Sequence, residues 1–291
     1  MSALPHRVVL SAAGRVGLGP GAPDVECDPT PWLKVRKSRK YMGRQDDLAV
    51  TAAGRALEAA GLRAEQLGPR AGLYLSIAWL GFELEDIVPV LDASVTEGRF
   101  DLDRFTRQGM RKAHPLLTFR CLPNMPAYHI SANFNIQGGY LTTYPGTGQF
   151  LQCLEEASLA LESGEIDAAL VGGVAFQRNF LTAWQRARVQ PAADPSGAWD
   201  AAAVLVLERE DACLARGGRA LGRLLAHDVT YAPFDPDEGF PQGDPDLGAR
   251  LGAAEGPWRI AEFLQQPGAV HTHRGPTVDG FTVSFTVEVP P

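Results

Sequence analysis

Apolar and polar residues follow two different periods along the chain, and this change of period predicts an α/β protein. Strands are expected where apolar residues form a continuous run or alternate with polar residues. Helices are expected where apolar residues recur every three or four positions. Five apolar runs predict strands: RVVLSAA from Arg7, RAGLYLSIAW from Arg70, IDAALVGGV from Ile166, DAAAVLVLERED from Asp200 and RALGRLLAHDV from Arg219.

Helical spacing is clearest in two segments. One begins at Gln45, where Asp46 and Asp47 suit the positive end of a helix dipole and Gly61 suits the stop. The other covers residues 148 to 163 and has one apolar face. Weaker patterns indicate helices over residues 82 to 96, at NMPAYH (Asn124 to His129), at DACLARGG from Asp211 and at IAEFLQQPG from Ile260. The segment ISANFNIQGGYLTTY, which follows NMPAYH, indicates a loop and a strand. Strands that alternate with helices predict a layered fold with helices packed on a mixed sheet.

The character of the chain changes near residue 230, which predicts a division into residues 1–230 and 231–291. The second region opens with YAPFDPDEGFPQGDPDLGARLG, whose proline, glycine and acidic residues indicate an irregular loop. A short helix and a final strand follow, the strand in the alternating segment DGFTVSFTVEVPP. Between them, His271 and His273 are expected in an exposed loop.

Composition restricts the class of protein. The 291 residues are 45% hydrophobic and 21% charged, as in ordinary globular proteins, and the net charge of −7 disfavours nucleic acid as a partner. The four cysteines have no metal-like spacing and indicate reduced, mostly buried cytosolic thiols. We find no signal peptide and no apolar run near the roughly 18 residues that span a bilayer. A cytoplasmic location without metal, cofactor or membrane span is therefore expected.

Basic residues are concentrated in the first fifty positions. Two interpretations stay open: a solvated basic loop, or a docking site for an acidic partner. The residues are Arg15, Lys34, Arg36, Lys37, Arg39, Lys40 and Arg44.

The stretch GGYLTTYPGTGQFLQCLEEASLAL, residues 138 to 161, is typical of a turn that presents a nucleophile. A glycine pair and a predicted strand lead through a tight turn into a helix N-terminus. No Ser or Cys stands at the turn, and the first thiol, Cys153, comes inside the helix.

Several segments in order resemble the β-ketoacyl synthase family of the thiolase superfamily, over roughly residues 7 to 225. They are RVVLSAAGRVGLG, LAVTAAGRALEAAGL, LPNMPAYHISANFNIQGGYLTT, ALESGEIDAALVGGV and AAAVLVLEREDACLARGGRALGRL. The resemblance implies a thiolase-like α/β/α fold with a mixed sheet. Its second half would be truncated, because the chain ends before that half could be completed.

The departures from the family pattern imply a lost activity. The position of the family's nucleophilic cysteine falls on Thr147, and His271 and His273 match neither of the family's two histidine contexts. The chain is thus similar to chain-length factors, the non-catalytic partners of active ketosynthases in type II polyketide and aryl-polyene systems. Those subunits usually have Gln at the nucleophile position, whereas here Gln149 lies two residues further on.

The same resemblance implies sites and partners. The strand carrying Tyr140, Thr142 and Tyr144 would pair with the ketosynthase across the dimer axis. Bulky residues upstream would close the partner's acyl tunnel or belong to the core: Met125, Tyr128 and Phe134. An acidic acyl carrier protein would meet the cluster Lys34, Arg36, Lys37, Arg39, Lys40 and Arg44.

Two other functions stay open. One is an independent decarboxylase, acyl transferase or hydrolase that uses Thr147, with His114 or His129 brought close as the base. The other is a homodimeric acyl-binding scaffold.

Overall fold

A computed structural model describes residues 7–19, 27–79, 83–144, 148–189, 197–232, 250–276 and 281–291. Its strands are β1 (Val8–Leu18), β2 (Ala71–Ile77), β3 (Val95–Thr96), β4 (Arg99–Phe100), β5 (Tyr140–Thr143), β6 (Ala168–Ala175), β7 (Asp200–Arg209), β8 (Gly222–Tyr231), β9 (Ala269–Pro276) and β10 (Phe281–Val289). Its α-helices are α1 (Arg44–Ala60), α2 (Leu84–Asp92), α3 (Leu102–Arg107), α4 (Leu117–Cys121), α5 (Met125–Phe134), α6 (Phe150–Glu162), α7 (Phe180–Val189), α8 (Glu210–Ala215) and α9 (Glu255–Phe263).

Eight strands form one mixed sheet in the order β5-β2-β6-β7-β1-β8-β10-β9. β2 is parallel to β5 and β6, whereas β7 is antiparallel to both of its neighbours, β6 and β1. Every residue of β2 and β6 is buried, because helices cover both faces of this part of the sheet. α1 and α5 lie on one face, and α6 and α9 lie on the other. The predicted layered α/β fold is confirmed.

α1 packs unusually close to β1, and a glycine makes this possible. A Cβ at Gly14 would stand 2.1 Å from the Ala52 carbonyl oxygen of α1, so only glycine fits there. At the start of the helix, the Asp46 carboxylate accepts the Gly43 N–H at 2.7 Å. At its end, Gly61 has φ of 66°, the left-handed conformation in which glycine commonly ends a helix. The boundaries predicted for this helix are confirmed.

The C-terminal region completes the sheet. β10 pairs with β8, and β9 pairs with β10, both antiparallel. On the side of α6, Phe285, Val287 and Val289 are at most 4% exposed, and they join the apolar core of that helix. The alternate residues of β10 are only partly buried and polar, which explains the strict alternation in the sequence. The described C-terminal residues thus cover one side of α6.

Three expectations from the sequence are wrong. His271 and His273 lie on β9 and not in an exposed loop, because the His271 ring stacks on Phe263 at 4.7 Å and the strand pairs with β10. The segment ISANF, predicted as loop and strand, forms the second half of α5. The strand predicted to end at Gly14 continues to Leu18, since β7 pairs with it along this length. The sequence also gave no sign of α7.

Candidate functional site

The glycine pair before β5 lets the chain pass close to β2, as expected of a nucleophile turn. A Cβ at Gly138 would stand 2.6 Å from the Ala71 carbonyl oxygen. After β5 the chain reaches α6, which begins at Phe150. Thr147, predicted to take the position of the family nucleophile, lies outside the described residues.

Cys153 is poorly suited to act as a nucleophile. It lies within the first two turns of α6, is fully buried, and its Sγ is 3.4 Å from the Thr143 hydroxyl. Burial raises the pKa of the Cys153 thiol to about 11. Burial also raises the pKa of Cys27 and of Cys213 to about 11. Because the thiolate is the nucleophile, burial makes these three thiols weak nucleophiles at neutral pH.

His129 and His114, the two histidines proposed as general bases, lie in different environments. His129 is 2% exposed, and its Nε2 is 3.9 Å from the Asp46 carboxylate of α1. Burial lowers the pKa of His129 to about 4, which makes it a weak base. His114 is exposed, and its Nδ1 accepts the Leu116 N–H at 3.2 Å. The burial of His129 therefore argues against its use as a general base.

β5 forms one edge of the sheet and exposes its outer side. Leu73 of β2 donates its N–H to the Gly139 carbonyl, so the alternation of a parallel pair directs the N–H groups of Tyr140 and Thr142 away from β2. Tyr140 is 54% exposed and Tyr144 is 41% exposed. Thr142 is half-buried and donates its hydroxyl to the Tyr140 phenol at 2.9 Å. The edge therefore combines open backbone donors with aromatic surface.

The three bulky residues before β5 separate into two groups. Met125 and Phe134 are 7% and 6% exposed and pack inside the chain. Tyr128, on the same helix α5, is 57% exposed. Of the three, only Tyr128 can reach a partner without movement of the core.

The basic segment, defined here as residues 34–44, presents most of its charges to solvent. Lys34, Arg36, Lys37, Arg39 and Lys40 are exposed, the last four on a short 3-10 helix that ends at Tyr41. Leu33, which precedes the segment, and Met42, within it, are buried.

Arg44 is the exception in the basic segment. Its guanidinium is 3.5 Å from the buried Asp200 carboxylate. Arg39 is exposed but pairs with Asp47 at 2.7 Å. Beside them is a pocket of about 230 Å³ with charges of both signs, and burial raises the pKa of Asp47 there to about 7. The pocket is lined by Arg39, Met42, Gly43, Arg44, Gln45, Asp47, Glu83, Asp86, Arg120 and Phe176.

The described ranges contain neither a metal-binding cluster nor a membrane-spanning helix. No group of three His, Cys, Asp or Glu side chains there is arranged to hold a metal ion. Within the same ranges, no helix has the length and apolar character needed to cross a membrane.

The sequence matches a known protein family over most of its length. Residues 15–215 match the family described as Beta-ketoacyl synthase, N-terminal domain, so the chain belongs to the β-ketoacyl synthase family. The 3-oxoacyl-[acyl-carrier-protein] synthase 2 of Mycobacterium bovis (strain ATCC BAA-935 / AF2122/97) is 25% identical over 169 residues. The protein of that name in Mycobacterium tuberculosis (strain ATCC 25618 / H37Rv) matches equally. Each match covers 52% of this chain but only 40% of the relative's length.

Solved structures share the fold at low identity. One belongs to AntDE:AntF (apo), a type II PKS acyl-carrier protein in complex with its ketosynthase bound to the hexaketide; it has a TM-score of 0.75 and 15% identity and covers 98% of this chain and 99% of that chain. The ishigamide ketosynthase/chain length factor has a TM-score of 0.68 and 16% identity, over 99% and 100% of the two chains. A beta-ketoacyl synthase from Burkholderia phymatum STM815 has a TM-score of 0.71 and 14% identity, over 98% and 100%. These likenesses show the thiolase-like ketosynthase fold.

Proposed function

We propose that this chain is a non-catalytic, chain-length-factor-like subunit that pairs with an active ketosynthase during polyketide or polyene elongation. The observation that carries the proposal is the open edge of β5. Its outward N–H groups and exposed aromatic residues fit strand-to-strand pairing with a second subunit. Full-length similarity to a chain of a ketosynthase assembly supports the same conclusion.

The chemistry of the site argues against independent catalysis. Cys27, Cys153 and Cys213 are buried, with raised pKa values, so the thiolate form of each is disfavoured. The depressed pKa of His129 leaves it a weak base. A role that needs no reaction at this chain's own turn is consistent with these surroundings.

Control of chain length is assigned to Tyr128. Because Met125 and Phe134 fill this chain's own core, the exposed Tyr128 is the residue of the three that can close the partner's acyl tunnel. We expect Tyr128→Ala to lengthen the product and Tyr128→Phe to leave its length unchanged, as measured by mass spectrometry of the products. Unchanged product length in Tyr128→Ala would remove Tyr128 from this role.

The exposed cations of the basic segment are assigned to docking of the acyl carrier protein. Five of its six basic side chains are exposed, and an acidic carrier would be attracted to them over roughly 8–10 Å at physiological salt. Arg44 is left out of this assignment, because it faces Asp200. The proposed docking would also explain why a chain with a net charge of −7 carries a basic surface.

The decisive experiment is co-expression with each ketosynthase encoded nearby, followed by size-exclusion chromatography with mass determination. We expect a one-to-one complex, and an unstable or insoluble chain when it is expressed alone. A stable homodimer that ignores every ketosynthase would overturn the proposal in favour of the scaffold. A base-dependent acyl transfer abolished by Thr147→Val would favour the independent enzyme.

A further inference from the structure

The basic segment reaches back to α5 through one buried amide. Asn133 is 7% exposed, although its side chain is polar. Its Oδ1 accepts the Lys34 backbone N–H at 2.9 Å. Its Nδ2 donates to the His129 carbonyl of the same helix at 2.8 Å. Both ends of the amide are therefore satisfied. Reversing the amide would set its NH₂ group against the Lys34 N–H and its oxygen against the His129 carbonyl.

The two contacts differ in range. The bond to His129 lies within α5, whereas the bond to Lys34 joins residues 99 positions apart. It fixes the first residue of the basic segment. At the other end, Asp46 fixes the Gly43 N–H, and in the middle Arg39 pairs with Asp47. Asn133 is the one of these anchors that comes from α5.

We propose that Asn133 is a positioning residue that holds the basic segment in the conformation that presents its charges. The inference rests on the proposed carrier docking for its functional consequence. Its structural part does not depend on that docking. A segment held in place before binding loses less conformational entropy when a partner docks. The charges themselves would attract the carrier whether or not the segment is held.

The charges and the Asn133 anchor are therefore predicted to affect different rate constants of carrier binding. Long-range attraction sets the association rate, and the fit of the docked complex sets the dissociation rate. Loss of the Asn133 anchor should therefore raise the dissociation rate of the carrier and leave the association rate unchanged. Removal of a charge, as in Lys37→Gln, should instead lower the association rate and reduce its salt dependence.

Trypsin provides a direct probe, because the basic segment contains six cleavage positions. Native-state cleavage follows the population of locally open molecules. In Asn133→Leu, which has neither acceptor nor donor, we expect cleavage within the segment to be about 10-fold faster. Cleavage after the exposed Lys112 serves as the internal reference and should not change.

Asn133→Asp is the matched variant. When protonated, its carboxylic acid offers the same acceptor and donor as the amide, whereas the carboxylate sets an oxygen against the His129 carbonyl. Trypsin protection of the segment in this variant should therefore increase as the pH is lowered, with each measurement taken relative to wild type at the same pH. A general packing role at residue 133 would not produce this pH dependence.

The outcomes are distinct. Unchanged cleavage of the segment in folded Asn133→Leu would overturn the inference, as would equal acceleration at Lys112. A looser segment with an unchanged carrier dissociation rate would show that the held conformation is not the binding one, which also overturns it. If the segment loosens as expected but the wild-type complex with its ketosynthase binds no carrier, positioning stands and the carrier docking under the proposed function fails.

Discussion

The two edges of the eight-stranded sheet are built differently. β5 has four residues, none charged, and Tyr140 at its start is 54% exposed. β9 at the other edge has eight residues, includes Arg274, and ends at Pro276, which has no N–H to donate. Charges and proline are common devices that keep an edge from pairing with another chain. One edge is thus open to a partner strand and the other is protected.

The strands next to the two edges also differ, in how much of their surface is buried. Next to β5, β2 is buried along its whole length, since helices cover both faces. Next to β9, β10 buries only the side that carries Phe285 and Val287. On its other side, Thr272 and Thr286 hydrogen-bond at 3.0 Å as part of a polar face. The open edge therefore adjoins a strand that is buried along its whole length, which suits a permanent interface.

The strongest test of this comparison removes one outward donor from β5. In Thr142→Pro the strand loses an N–H that faces away from β2, so its pairing with β2 is preserved while pairing with a partner is blocked. We expect the complex with the ketosynthase to weaken by about 1,000-fold or to be lost. The measurement is the dissociation constant by interferometry.

Thr142→Ala is the control, because it shortens the side chain and keeps the N–H. It should bind within about threefold of wild type. Full binding by Thr142→Pro would show that the interface lies elsewhere, and the proposal of pairing at β5 would fail.

The sequence predicted the fully buried strands and the long amphipathic helices, because their patterns extend over many residues. β6 and α1 were found for this reason. β9 was missed because AVHTHRGP shows neither an apolar run nor a clean alternation, and its strand exists only through pairing with β10. The second half of α5 was predicted as loop and strand, but it is helical in the structure, where α5 packs against α1. Tertiary contacts decided both elements.

The candidate site could be predicted only in part. The resemblance to the β-ketoacyl synthase family indicated the edge strand, and the concentration of Lys and Arg indicated the basic segment. Nothing in the sequence distinguished the exposed Tyr128 from the buried Phe134, since both are aromatic residues of one short helix. The inward turn of Arg44 toward Asp200 joins positions more than 150 residues apart, and so does not appear in any local pattern.

The reactivity of the Cys153 thiol tests whether β5, the strand at the open edge, stays attached to the sheet. Cys153 lies under β5 with its Sγ 3.4 Å from the Thr143 hydroxyl. Because its pKa is raised from 9.0 to about 11, the native thiolate fraction at pH 8 should be about 100-fold below that of the unfolded chain. Iodoacetamide labelling followed by peptide mass spectrometry measures this ratio. Rapid native labelling would mean that β5 opens and is a poor interface. Labelling in Thr142→Pro should stay as slow as in wild type.

A charge placed at either edge should have unequal effects. Tyr140→Lys introduces a cation into the proposed interface, and we expect the ketosynthase complex to weaken by about 10- to 30-fold. Val270→Lys, at a position of β9 that is 60% exposed, should leave binding within about twofold. Both variants add one positive charge, so a general charge effect would shift them together. Equal weakening in both would remove the distinction between the edges.

The smallest expected effect concerns the protection of β9. Arg274 is exposed near the end of that strand, opposite Ser284 of β10. Arg274→Val removes the charge and adds an apolar side chain, so sedimentation velocity should show weak, concentration-dependent self-association, with about a twofold rise in mean mass at high concentration. Arg274→Lys keeps the charge and should remain unchanged. If Arg274→Val stays monodisperse in the complex with the ketosynthase, then β9 is protected by its polar face and by Pro276, and Arg274 contributes nothing to the difference between the two edges.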